Sequence, residues 1–164
     1  SGSPAATAEP ACLSMPPADL QGPQALSPAA RSALAGRRLW LVHPWALRAA
    51  PRGLPADTVV LGIYPREVHA ARPWSEARWL WVDAAMAQIC PQRYLLDAAG
   101  LSDLLALAAQ VHTVDDPHIT GWLAGRVKTE PAPLLFPEVT QPCASFSKWW
   151  SRATRHLAQA EQLL

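Results

Sequence analysis

The sequence predicts an α/β fold: a Rossmann-like, doubly wound, mainly parallel sheet of about five strands with flanking helices. Three observations predict it. Short apolar runs alternate with longer stretches of helical periodicity along the chain. The short runs are apolar at nearly every position, as in strands buried on both faces of a parallel sheet. The 164 residues, 50% of them hydrophobic and 16% charged, suffice for one domain with a hydrophobic core.

The first 36 residues differ in composition from the rest. We expect residues 1–36 to form a flexible arm rich in proline and alanine, with a short helix near its end. Ser27 followed by Pro28 is typical of a helix start, and Leu34 is placed to dock that helix. We expect residues 37–164 to form a single domain.

Four apolar runs are predicted strands. They are residues 39–42, 58–64, 93–96 and 111–114. The second run is rich in β-branched residues and is bounded by Pro55 and Pro65. Because a helical stretch follows the later strands, the connections are expected to be right-handed crossovers.

Three helices are predicted between these strands and after them. They are residues 73–89, 101–109 and 119–127. The first carries two apolar stripes, one through Trp74 and Trp81 and the other through Trp79 and Met86. An apolar arc that wide predicts burial on more than one side of the helix.

A proline-rich crossing and a last helix follow. Prolines between residues 131 and 142 predict an extended segment. From Phe146 to Leu164 apolar residues recur every three or four positions, which predicts an amphipathic helix. Its cations and tryptophans are the expected partner-docking residues: Lys148, Trp149, Trp150, Arg152 and Arg155.

Charge and cysteine usage exclude several function classes. Lysine and arginine total 14, and aspartate and glutamate total 13. The chain therefore has no strong net positive charge that would attract nucleic acid or an anionic membrane. We therefore expect neither to be bound directly. The three cysteines lack the spacing of a zinc or redox site, and we expect free thiols in a cytoplasmic protein. No run approaches the roughly 18 apolar residues of a membrane span.

Ligands of doubly wound sheets bind beyond the carboxyl ends of the strands, where the strand order reverses. This rule selects the polar and aromatic residues at the four predicted strand ends as cofactor-binding candidates. They are His43, Trp45, Tyr64, Arg66, Glu67, Asp97, Asp115 and His118. No GxGxxG, GxxxxGK[ST] or GxSxG motif accompanies them, so dinucleotide-binding, P-loop and hydrolase signatures are missing. No residue is assigned a catalytic role.

One turn groups His112, Asp115, Asp116 and His118. It could hold a divalent cation, or one aspartate could cap the following helix. Because the order matches no metal-site pattern that we can name, we expect no metal.

Two segments resemble the N-terminal antenna domain of the photolyase/cryptochrome family. The first predicted strand leads into Pro44-Trp45-Ala46-Leu47, which is similar to the family's strand and N-P-A-L segment. Leu135-Phe136-Pro137, followed by Ser145-Phe146-Ser147-Lys148-Trp149-Trp150, resembles its proline-rich crossing and F-T-P-F-x-x-W element. The resemblance spans about residues 38–155.

The resemblance implies an antenna-type module without the family's helical flavin domain, so light-driven DNA repair is not expected of this chain by itself. It implies an antenna chromophore (a folate, a deazaflavin or FMN) or none, and a protein partner such as a separately encoded flavin protein. We therefore expect a non-catalytic module that binds a partner protein and a nucleotide-like or pigment ligand. The alternatives are an adenine-nucleotide-binding enzyme that uses the turn from His112 to His118, and a small protein that binds single-stranded nucleic acid through the last helix.

Overall fold

The computed structural model describes residues 11–17, 25–133 and 139–155. The strands in chain order are β1 (Cys12–Leu13), β2 (Arg38–Val42), β3 (Thr58–Pro65), β4 (Trp74–Ser75), β5 (Arg93–Leu96), β6 (Gln110–Val114) and β7 (Lys128–Glu130). The helices are α1 (Pro28–Leu34), α2 (Arg66–Ala71), α3 (Glu76–Ile89), α4 (Ala98–Leu107), α5 (Pro117–Leu123) and α6 (Phe146–Ala153).

The chain divides into two compact units, Ser1–Pro131 and Ala132–Leu164. The first holds all seven strands and five of the helices described, and the second holds α6. That residues 37–164 act as a single domain stays a prediction. The end of the predicted last helix, residues 156–164, lies outside the described residues.

Five parallel strands form the main sheet, which confirms the predicted α/β fold. Their order across the sheet is β5-β3-β2-β6-β7. The chain moves from β2 outward to β3 and β5, then crosses back to β6 and continues to β7. The strand order therefore reverses between β2 and β6, which pair with Leu41 opposite Thr113. Ligands of such sheets bind at the carboxyl ends of these two strands.

The four predicted strands are observed within a residue of their expected ends. Strand β7 was not predicted, because its three residues are Lys-Thr-Glu and carry no apolar pattern. A second, two-stranded sheet was not predicted either: β1 pairs with β4, with Leu13 opposite Trp74. Part of the segment expected to be a flexible arm thus pairs with a strand of the first unit.

Helix α3 begins at Glu76, later than predicted, because Trp74 belongs to β4. Ser75 caps the helix by accepting a hydrogen bond from the backbone N–H of Arg78. The stripe through Trp79 and Met86 is buried, whereas Trp81 is 69% exposed. The prediction that this helix is buried on more than one side is therefore wrong within the described chain.

Each face of the sheet has its own core. One face packs under α1, α4 and α5, with Leu39, Leu41, Leu61, Ile63, Leu101, Leu104, Ile119 and Leu123 buried. The other packs under α3 and under the connection formed by residues 43–57, with Trp40, Val42, Tyr64, Trp79, Val82 and Met86 buried. Gly62 lets α3 lie close to β3, since a Cβ atom there would collide with the Met86 side chain.

A buried ion pair joins α3 to β5. The Arg93 guanidinium donates from Nε to Asp83 Oδ1 at 2.7 Å and from Nη2 to Asp83 Oδ2 at 3.0 Å. The Tyr64 hydroxyl donates to Asp83 Oδ1 at 3.0 Å. Both charged side chains are almost fully buried, and Arg93 Nη1 also donates to the Pro91 carbonyl at 2.9 Å, so the pair replaces much of the hydration that the two charges lose on burial.

Helix α5 ends at Leu123, four residues before the predicted end. The next two residues, Ala124 and Gly125, have φ values of 49° and 69°, in the left-handed region that terminates helices. Strand β7 follows this turn.

Candidate functional site

Three of the eight predicted candidates, His43, Trp45 and His118, meet at the reversal of strand order. The Trp45 indole stacks on the His118 imidazole, with ring centroids 5.4 Å apart and planes 3° from parallel. It also stacks on the His69 imidazole, with ring centroids 5.5 Å apart and planes 14° from parallel. His43 lies beside it, with ring centroids 6.1 Å apart. We call Trp45, His69 and His118 the Trp45 stack.

The segments that follow three neighbouring strands build this stack. Trp45 comes from the turn after β2, which is closed by a hydrogen bond from the Ala46 N–H to the His43 carbonyl. His69 comes from α2, directly after β3, and His118 from the first turn of α5, after β6. The stack therefore covers the carboxyl edge on both sides of β2.

His43 is fully buried and holds β2 to the end of β6. Its Nε2 lies 2.9 Å from the Val114 carbonyl oxygen, so Nε2 carries the proton and donates it. Its Nδ1 is a buried acceptor without a partner among the described residues. Burial lowers the pKa of His43, against the opposing effects of this hydrogen bond and of Asp116 and Asp115. The imidazole is therefore neutral near pH 7.

His69 is fully buried, and neither of its ring nitrogens has a hydrogen-bond partner among the described residues. It packs among aromatic rings, with centroids 4.3 Å from Trp74 and 4.6 Å from Trp79. Burial, with a smaller effect of Arg78, lowers the pKa of His69 to about 4. Buried polar atoms without partners are costly and rare. Three such imidazole nitrogens, one on His43 and two on His69, adjoin Trp45.

The carboxylates at this edge hold the loops in place. Glu67 accepts hydrogen bonds from the Ala98 N–H and from the Trp122 indole N–H, both at 2.8 Å, and so joins α2 to α4 and α5. Asp97 caps α4 through the Gly100 N–H at 2.7 Å. Each of these predicted candidates thus has a structural contact.

The turn before α5 follows the capping alternative. Asp116 accepts from the His118 N–H at 2.9 Å and lies 2.8 Å from His118 Nδ1, which fixes the ring against Trp45. Asp115 accepts from the Thr120 hydroxyl at 2.6 Å. His112 lies away from them, with its Nδ1 3.4 Å from Glu130 Oε1. Among the described residues, no three histidine, cysteine or acidic side chains are placed to hold a metal ion.

Two predicted candidates lie outside the stack. Tyr64 is buried beneath α3, where burial and the neighbouring Asp83 raise its pKa. Arg66 is exposed, and its Nη1 lies 3.4 Å from Met15 Sδ. Sequence reasoning missed His69, because α2 was not predicted and nothing in the pattern placed this residue at the strand end.

The predicted docking residues lie on and just after α6. Lys148, Arg152 and Arg155 line an open groove of about 400 Å³ together with Ser147 and Ser151. Phe146, which was not among the predicted residues, is 71% exposed, and Trp150 is 45% exposed. The amphipathic pattern that predicted the helix could have identified Phe146, which is its first residue.

Comparison with known proteins gives no relative from which a role could be inferred. No family model matches the chain, and neither a curated protein nor a solved structure matches it. Within the part of the chain that the structure describes, no helix has the length and hydrophobicity needed to cross a membrane.

Proposed function

We propose that this chain is a non-catalytic, photolyase-like antenna-type module that binds a planar heteroaromatic ligand, nucleotide-like or pigment, at the Trp45 stack and docks a partner protein through α6. The observation that carries the proposal is the Trp45 indole stacked nearly parallel to two imidazoles where the strand order reverses. The resemblance of the chain to the antenna domain supports the same class of ligand.

The stack has the dimensions and chemistry of a site for a flat ring. The His69 and His118 imidazole centroids lie 5.5 and 5.4 Å from the indole centroid, so a flat ring that takes the place of the indole when Trp45 turns away can stack on the same imidazoles. The unpaired nitrogens of His69 and His43 supply a donor and acceptors for ring heteroatoms. Flavin, deazaflavin and pterin rings carry such heteroatoms.

Trp45 can move without unfolding a helix. It is half-buried and belongs to the connection of residues 43–57, which contains no helix or strand. The connection has no glycine-rich loop to bind phosphates. The proposed site therefore recognises the ring of the ligand rather than a phosphate group.

The carboxylates support a binding role over catalysis. Glu67, Asp97 and Asp115 accept hydrogen bonds from backbone or side-chain donors of the described chain. A general base needs an oxygen that is free to accept a substrate proton. Each of these groups would have to give up a structural contact to act as one.

The first test is the absorption spectrum of the freshly purified protein, because a bound folate or flavin absorbs above about 350 nm, where tryptophan does not. The second is titration with riboflavin, FMN and folate, followed by ligand fluorescence. We expect His118→Ala, which removes one side of the stack, to weaken binding. Trp45→Ala should strengthen it, since no indole must be displaced. The control is Trp81→Ala, which removes an exposed indole from α3.

Absence of binding by both the natural protein and Trp45→Ala would refute the ligand site. If His118→Ala binds the ligand with unchanged affinity, the Trp45 stack is not part of the ligand site. ATP and AMP belong in the same series, since thermal stabilisation by these nucleotides alone would favour the adenine-nucleotide-binding enzyme.

A further inference from the structure

A cavity of about 210 Å³ lies near the amino ends of three neighbouring strands, away from the Trp45 stack at their carboxyl ends. Its polar lining residues are Arg38, Thr58, Gln110, His112 and Glu130. The first three of these begin β2, β3 and β6, and all five belong to the first compact unit. We call this space the amino-end cavity.

The path of the chain between β2 and β3 explains why the cavity forms. Helix α3 packs on β3 and β5, where Met86 lies beside Gly62. Over β2, the same face of the sheet is bounded by the connection of residues 43–57, which contains no helix. The apolar walls of the cavity are Trp40 of β2 with Leu54 and Pro55 of that connection. A chain segment without regular structure thus leaves a space that a helix would fill.

Two hydrogen-bond donors meet at one end of the amino-end cavity. Arg38 and Thr58 lie opposite each other in the β2–β3 register, so their side chains share one face of the sheet. The Thr58 hydroxyl is buried without a hydrogen-bond partner among the described residues. Arg38 Nε lies 3.9 Å from Asp57 Oδ2, too far for a hydrogen bond, so the guanidinium N–H groups can still donate. A guanidinium beside a hydroxyl is suited to bind a carboxylate.

An acceptor lies at the other end. The Glu130 carboxylate has its Oε1 3.4 Å from His112 Nδ1, and a carboxylate has lone pairs for further donors. The His112 ring stacks on Trp40, with centroids 6.4 Å apart. Arg38 and His112 are one strand and two residues apart, which places their Cα atoms about 8 Å from each other. This separation suits a benzene ring with polar groups at opposite positions.

We propose that the amino-end cavity binds a single-ring aromatic carboxylate of the 4-hydroxybenzoate class. The carboxylate accepts hydrogen bonds from Arg38 and Thr58, the ring lies between the apolar walls, and the hydroxyl donates to Glu130. An apolar cavity of about 150 Å³ holds benzene, so the volume here suits one substituted ring and not a flavin. This inference goes beyond the proposed function and does not rest on it.

The test is calorimetric titration of the protein with 4-hydroxybenzoate. We expect saturable binding with a dissociation constant below about 1 mM. Arg38→Gln should weaken it about tenfold or more by removing the charged donor, and Thr58→Val about fivefold by removing the hydroxyl. Because that hydroxyl has no partner in the described chain, Thr58→Val should leave the urea midpoint unchanged or raise it. Glu130→Gln should weaken binding of 4-hydroxybenzoate but not of benzoate, which lacks the donor.

The matched controls are Arg72→Gln, which removes an exposed cation elsewhere, and Thr129→Val, which removes an exposed hydroxyl from β7. Both should leave the affinity unchanged. So should His118→Ala, because the Trp45 stack lies at the other end of the strands. Circular dichroism confirms that each variant is folded.

No saturable binding, or binding that Arg38→Gln and Thr58→Val leave unchanged, would overturn the inference. Loss of binding in His118→Ala would overturn it as well, since the ring would then occupy the Trp45 stack. Flavin titration of the same preparations tests the proposed function separately. A protein that binds 4-hydroxybenzoate through Arg38 but no flavin, folate or nucleotide would contradict the ligand site at the Trp45 stack while this inference stands.

Discussion

Acidification should destabilise this protein through His69, which is buried as the neutral imidazole. The pKa of His69 is about 4 in the folded chain and near 6.5 in an unfolded one. Between these values the unfolded state binds more protons, so stability rises with pH there. The contribution is complete above pH 6.5 and is lost as the pH falls toward 4. For these two pKa values the loss is about 2 kcal/mol at pH 5 and about 3 kcal/mol at pH 4.

The variant His69→Phe isolates this contribution. Phenylalanine keeps a flat ring among Trp45, Trp74 and Trp79 but cannot take up a proton. Urea unfolding followed by circular dichroism gives the free energy of unfolding at each pH. Between pH 7 and pH 5 the natural protein should lose about 2 kcal/mol more than the variant. His43, whose pKa is also lowered, is present in both proteins and cancels in the comparison.

The control is the interval from pH 8 to pH 7, where His69 is neutral in both states and the two proteins should change alike. Equal losses between pH 7 and pH 5 would refute the reasoning. They would mean that His69 gains a proton without cost in the folded protein.

Two further predictions concern the contacts of α3 with the sheet. Asp83→Ala should destabilise the fold by about 3–5 kcal/mol, because it removes the carboxylate that neutralises the nearly buried Arg93 guanidinium. Tyr64→Phe, which removes only one hydrogen bond to the same carboxylate, should cost about 1 kcal/mol. Denaturant midpoints measure both, and similar losses would argue against a buried ion pair. Gly62→Ala should cost about 1–3 kcal/mol by forcing Met86 aside, whereas Gly121→Ala, on open helix surface, should be neutral or slightly stabilising. A neutral Gly62→Ala would show that α3 can move away from β3.

The main sheet could be predicted because its strands carry their own signature. Residues 58–64 are apolar and β-branched between two prolines, and this pattern requires no knowledge of the neighbouring strands. Elements that depend on a distant partner were missed. Strand β7 is polar and owes its extended form to pairing with β6, and β4 pairs with β1 about 60 residues away. Local pattern contains no information on either pairing.

The sequence predicted which residues lie near the strand ends, but it did not predict which of their side chains touch one another. The strand-end rule selected Trp45 and His118 separately, and the structure brings them together because β2 and β6 lie side by side where the strand order reverses. The same rule selected Tyr64, whose side chain points beneath α3. Side chains alternate between the two faces of a strand, so a residue near a strand end reaches the edge only when the chain turns there.

Four of the eight tryptophans of the chain pack together because of one feature of the fold. Parallel strands are usually joined by a helix that covers the sheet, but β2 and β3 are joined by residues 43–57, which form none. Large rings fill the space that a helix would occupy: Trp40, Trp74 and Trp79 are buried on that face, and Trp45 packs against them from the connection. A connection held by ring packing instead of a hydrogen-bonded helix can release one ring at the cost of a few contacts. The exchange of Trp45 with a ligand that we propose would therefore use the same connection that holds these rings.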